Sequence, residues 1–129
     1  MTREALDVLV AHIPATHTEQ VLAALFDAGA GAVGEYRECA FVQRGEGRFR
    51  PVGGANPTIG EVGRPERVVE DRVEVTFPRS RRALVVKALR AAHPYEEPSF
   101  HVLTNVADET PSAPRSLRKV AQRPPPPGP

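Results

Sequence analysis

The chain has 129 residues, 40% of them hydrophobic and 5% aromatic, with no tryptophan and a formal net charge of +1. This length suits a single domain whose core must rest on valine, leucine, alanine and isoleucine. The near-neutral balance excludes a strong pull toward nucleic acid or an anionic membrane, the single cysteine, Cys39, excludes an internal disulfide, and no apolar run is long enough to span a bilayer.

Leu6 to Ile13 is almost continuously apolar and reads as a buried central strand. Asp7 and His12 interrupt it and no basic leader precedes it, so it is not a signal peptide and a cytoplasmic protein is expected. Pro14 stops the strand. Thr16-His17-Thr18-Glu19 has capping-box spacing ahead of a helix whose apolar face is Val21, Leu22, Leu25 and Phe26. Gly29 and Gly31 mark the helix exit.

Tyr36 to Gln43 reads as a second strand, Arg44 to Arg48 as a turn, and Phe49 to Val52 as a resumed extended segment at a sheet edge, because Pro51 cannot donate to a ladder. Gly53 to Gly63 is a loop. Val69 to Phe77 is a strand with Val73, Val75 and Phe77 on one face, and Pro78 stops it. Ser80 is placed to cap a helix carrying Leu84, Val85, Ala88, Leu89 and Ala92 on one face. That helix ends before Pro94. Phe100 to Val106 is the last strand, with Phe100, Val102 and Val106 on one face.

The two halves repeat: strand, proline, helix, strand. Two such βαβ units predict an α+β, ferredoxin-like βαββαβ sandwich, an antiparallel sheet with two helices on one face plus an extended hairpin. The domain is expected to span residues 1–106. Residues 107–129, rich in proline and arginine and without apolar periodicity, are expected to form a disordered tail. Helices on one sheet face leave the other face to be wetted or buried by self-association.

Functional side chains are densest at His93-Pro94-Tyr95-Glu96-Glu97-Pro98. Its two prolines stiffen a phenol, an imidazole and two carboxylates, which suits ligation of a metal or a basic group. The same residues also suit a purely structural turn, with His93 closing the helix and Tyr95 wedged into the core. Gly53 to Gly63 can bring backbone N–H groups to an anion, or serve as an ordered connector with Asn56 bonding its own backbone. It lacks the lysine of a phosphate-binding P-loop and the spacing of a dinucleotide loop. Cys39 sits mid-strand, where an inert thiol is the common outcome. Arg79, Arg81 and Arg82 open the second helix against its dipole. No serine has the flanking glycines of a hydrolase nucleophile, so no catalytic residue is expected.

Several ordered motifs carry a family resemblance: Ala24 to Gly31; Gly34-Glu35-Tyr36 with Cys39 and Phe41; Gly47 to Pro51; Gly54 to Pro57; Ile59 to Gly63; and His93 to Pro98. Over nearly all of Leu6 to Val106 the chain resembles the small domain inserted in YqfO-type proteins, the dinuclear-metal-centre hexamers of the NGG-interacting-factor family, and free-standing relatives of that domain. The turn is also similar to that of CutA divalent-cation-tolerance proteins. The resemblance implies a PII/CutA-like ferredoxin fold and a homotrimer. The metal ligands of the full-length proteins lie in flanking domains, so the resemblance implies neither their dinuclear site nor a hydrolase activity here. The expected function is a non-enzymatic, trimeric binding or regulatory module. A small anion or metal ion, a divalent metal being a candidate cofactor, would be held at inter-subunit clefts by Asn56, Glu61, His93, Tyr95, Glu96 and Glu97. The alternative is a structural oligomerisation or protein-interaction module with no small-molecule ligand.

Overall fold

Four strands make one antiparallel sheet in the order β2-β3-β1-β4. The structure, a computed structural model, describes residues 4–108. The tail expected from residue 107 lies outside them, apart from Ala107 and Asp108. In chain order the elements are β1 (Leu6–Pro14), α1 (Thr18–Asp27), β2 (Phe41–Phe49), β3 (Glu66–Pro78), α2 (Arg82–Ala92) and β4 (Phe100–Leu103). Each helical crossover skips one strand, so the two βαβ units interleave and every neighbouring pair is antiparallel. This is the expected ferredoxin-like topology.

The core lies between the sheet and the two helices. Leu9, Ala11 and Ile13 of β1 alternate with outward residues and meet Val73, Val75 and Phe77 of β3. Val21, Leu22 and Leu25 of α1 and Val85 and Leu89 of α2 close over them. Among the described residues no helix covers the opposite sheet face. It carries Val8 and Val10 opposite Thr76 and Glu74, with Leu103, His101 and Phe41 beside them in register. Phe41 is 58% exposed and Leu103 49%.

Several local expectations need correction. Arg44 to Arg48 is not a turn: the second strand is Phe41–Phe49, and its register runs from Phe41↔Glu74 to Phe49↔Glu66. Gly45 and Gly47 mimic turn chemistry, but β3 is long enough to template the whole ladder. The Glu70 carboxylate fills the space a Cβ at Gly47 would need, so this glycine serves a close approach rather than a bend. Tyr36 lies instead in a tight reversal, exchanging backbone hydrogen bonds with Val33 at 2.9 Å each.

Neither helix has a side-chain N-cap. The Thr16 hydroxyl is 2.9 Å from the His17 ring, and a 3-10 turn, Arg79–Arg81, precedes α2. Leu84 is 54% exposed because the buried stripe of α2 runs through Val85 and Leu89, one position on. Val106, 70% exposed, lies past the end of β4 in a second 3-10 turn, Val106–Asp108. The helix exit follows expectation, with φ of 102° at Gly29 and 84° at Gly31. At Gly31 a Cβ would stand 2.9 Å from the Phe26 ring.

Two buried carboxylates pin the strand ends. Asp7 takes a two-pronged contact from Arg79 at 2.8 and 2.9 Å. Asp71 accepts from the Thr18 hydroxyl at 2.6 Å and from Arg44 at 3.1 Å. Leu9 is fully buried at the centre of the packed layer. Leu9→Ala is expected to lower unfolding stability by about 2–5 kcal/mol through lost transfer energy and a residual cavity, measured by urea denaturation at pH 7.5.

Candidate functional site

α2 ends at His93, whose backbone turns extended at φ −71°, ψ 132° while its N–H still donates to Leu89 O at 2.8 Å. Pro94 forbids further helix. The His93 ring is buried and doubly bonded. A backbone N–H can only donate, so the Tyr95 N–H fixes Nδ1 as acceptor, at 3.1 Å. The proton therefore sits on Nε2, which donates to His12 O at 2.7 Å. Neutral His93 thus ties the turn to β1. Burial pushes its pKa below the ordinary histidine value, outweighing the hydrogen bond to His12.

Tyr95 is held on three sides. Its hydroxyl donates to Glu70 Oε2 at 2.9 Å, and its ring meets Phe49 edge-on with centroids 5.7 Å apart and the His93 ring at 5.1 Å. Burial, with the Glu70 carboxylate, pushes the phenol pKa well above its usual range. The glycine-rich loop is tied to the same turn: the Asn56 N–H donates to Glu96 Oε1 at 3.2 Å and the Thr58 hydroxyl to Pro94 O at 2.7 Å.

Between the end of β2, this loop and the turn lies a cleft of about 520 Å³. Phe49, Pro51, Ile59 and Tyr95 give it apolar walls, with Pro57 and Val52 beside them. Arg48 and Arg50 stand on the hairpin wall and Glu96 and Glu97 on the turn wall, with Glu46, Glu70 and His12 also facing in. Arg48 pairs with Glu46 at 2.9 Å. This mixture suits an amphipathic guest: flat apolar contact below, charge at the rim.

Of the expected residues, Tyr95, Glu96 and Glu97 line the cleft. Asn56 contributes through its backbone to Glu96. His93 stands behind Tyr95 and orients it. Glu61 is exposed on the loop, 3.7 Å from Arg64, and does not line the cleft. Sequence reasoning missed Phe49, Arg48, Arg50, Glu70 and His12. The available signal was the alternation that continues through Gly45 and Gly47 and aims Phe49 at the turn. Among the described residues, no group of three or more His, Cys, Asp or Glu gathers as a metal centre needs. Cys39 is half-buried, with its thiol 3.8 Å from Arg37 O.

Because burial lowers the folded-state pKa of His93, its neutral form contributes stability above the unfolded value near 6.5. That contribution is lost as pH falls through this value. Urea midpoints measured from pH 7.5 down to pH 5 should fall, and His93→Gln should flatten the slope in that window. An unchanged slope would exclude His93 as its source.

No family model matches the chain. It is 50% identical over 101 residues to the GTP cyclohydrolase 1 type 2 homolog of Mycobacterium tuberculosis, covering 78% of this chain and 27% of that protein. The Bacillus subtilis protein of the same name is 46% identical over 99 residues, 77% of this chain and 26% of that protein. The chain thus spans about a quarter of the length of these relatives. Among solved structures, a Bacillus cereus protein related to NIF3 superposes with a TM-score of 0.68 at 40% identity, over 81% of this chain and 27% of that one. CutA1 from Shewanella sp. SIB1 superposes at 0.57 with 14% identity, over 93% and 95% of the two chains, a likeness of fold alone. The chain is therefore a relative of the CutA/PII-like domain carried within the NIF3-related, YqfO-type proteins.

Proposed function

We propose that this chain is a non-enzymatic binding module that assembles as a homotrimer and takes a small anionic organic ligand in the cleft beside Tyr95. The observation that carries the reading is the convergence of two stiff segments on one cleft: the proline-bounded turn and the loop bonded to it through Glu96 and Pro94. Such a cleft loses little conformational freedom on binding. Phe49 and Tyr95 offer aromatic surface, and Arg50 offers a cation at the rim. Arg50 sits where a carboxylate or phosphate could be met by a two-pronged contact. Among the described residues no three-donor cluster gathers, so the reading favours an anion over a metal ion held by a single subunit.

Self-association is supported by the bare sheet face. Val8, Phe41 and Leu103 share it with mixed charges and, among the described residues, no helix, an arrangement that a second copy covers at low cost. The non-enzymatic reading rests on the site chemistry: a neutral, doubly bonded His93 and a phenol bonded to Glu70 are engaged in positioning.

Two measurements test this. Sedimentation at micromolar concentration should give a trimer, with Phe41→Asp or Leu103→Asp shifting it to smaller species; a wild-type monomer would sink the assembly. A thermal-shift screen with aromatic carboxylates, nucleotides and divalent metal ions should raise the melting temperature for an anion, since saturation at about 100 times Kd adds about 2.7 kcal/mol. Arg50→Ala should remove that gain and leave the unliganded melting temperature within the small range of a surface change.

A further inference from the structure

The cleft's chemistry matches a segment of the chain itself. Beyond Asp108 the sequence carries Arg115, Arg118, Lys119 and Arg123, then Pro124 to Pro127. The cleft offers two features such a segment requires. Its walls are an edge-to-face aromatic pair, Phe49 and Tyr95, flanked by Pro51 and Pro57. Aromatic-lined grooves are the surfaces on which proline-rich segments dock, because that conformation is pre-formed and costs little to order. Its acidic groups also exceed its basic ones: Glu46, Glu70, Glu96 and Glu97 face it against Arg48 and Arg50. With Arg48 spent on Glu46, the turn wall is net negative and the tail net positive.

The reach is sufficient. The last described residue, Asp108, accepts from the Leu6 N–H at 2.9 Å at the start of β1, and His12, six residues along that strand, lines the cleft. The separation along β1 is roughly 20 Å at the rise of a strand. The stretch from Asp108 to Arg118 covers roughly 30 Å when extended, so Arg118 and everything after it can arrive.

We propose that the Pro/Arg-rich segment beyond Asp108 docks in the cleft of its own chain. Its prolines lie against Phe49 and Tyr95 and its arginines pair with Glu96 and Glu97. Tethering gives the segment a high effective concentration at the cleft. The proposal rests on the reading of this cleft as a binding site, yet it can fail or hold separately from the small-ligand reading.

The test compares backbone amide spectra of the full-length protein with those of full-length R115E/R118E/R123E. Docking predicts chemical-shift changes in this variant that cluster at residues 49–52 and 95–99, leave the core strands unmoved, and are reproduced in the wild type by 0.5 M NaCl. Identical cleft resonances in wild type and R115E/R118E/R123E would overturn it, as would changes that avoid the cleft. If no anion or metal ion stabilises the protein but the cleft resonances still respond to tail charge reversal, docking stands and the small-ligand reading falls. If anions stabilise wild type and R115E/R118E/R123E equally, with no cleft resonance altered, the reverse holds.

Discussion

Every strand contact in the sheet passes through β1 or β3, and those two strands meet along nine paired positions, from Leu6↔Pro78 to Pro14↔Glu70. This register decides which side chains face the helices. A slip of one residue would turn Leu9, Ala11 and Ile13 toward the bare face and expose the core set of β3 with them. It also fixes the site at a distance. His12 offers its carbonyl to His93 near one end of the ladder. Glu70, at the same end on β3, receives the Tyr95 hydroxyl. The turn is thus bonded to two adjacent strands whose spacing the ladder sets.

Charge does the pinning where apolar packing thins out. Asp7 and Asp71 are both buried, and each is held well into its ionised form by a guanidinium: Arg79 for Asp7 and Arg44, with the Thr18 hydroxyl, for Asp71. Arg44 of the edge strand, Asp71 of β3 and Thr18 of α1 form one chain of bonds. Asp7 of β1 collects Arg79 from the start of the second crossover and the Asn105 N–H from beyond β4. Removing either carboxylate's partners would leave a buried charge whose desolvation nothing offsets.

The relatives place this architecture in a larger setting. The matched region is about a quarter of proteins that carry more chain around it, and the candidate cleft lies within the matched fold. Within the candidate cleft, His93 and Glu70 bond Tyr95, and Thr58 and Asn56 bond the loop to the turn.

The fold was legible in the sequence because its signals are local. Apolar continuity in Leu6 to Ile13, alternation at Val73, Val75 and Phe77, and prolines at 14, 78 and 94 each act within a few residues and repeat across two halves. The turn from His93 to Pro98 stood out for the same reason, and Tyr95, Glu96 and Glu97 do line the cleft. What escaped were features set by partners far along the chain. Gly45 and Gly47 look like a turn until β3 is present to pair with them, and only then does Phe49 reach Tyr95. Ser80 and Thr16 look like caps until Glu4 and His17 are seen to engage their neighbourhood instead. Local sequence fixes what each segment can be, since backbone preference and hydrophobic period are short-ranged. Tertiary structure alone decides which distant side chains share a cleft, because the β1–β3 register and the covered sheet face come from long-range pairing.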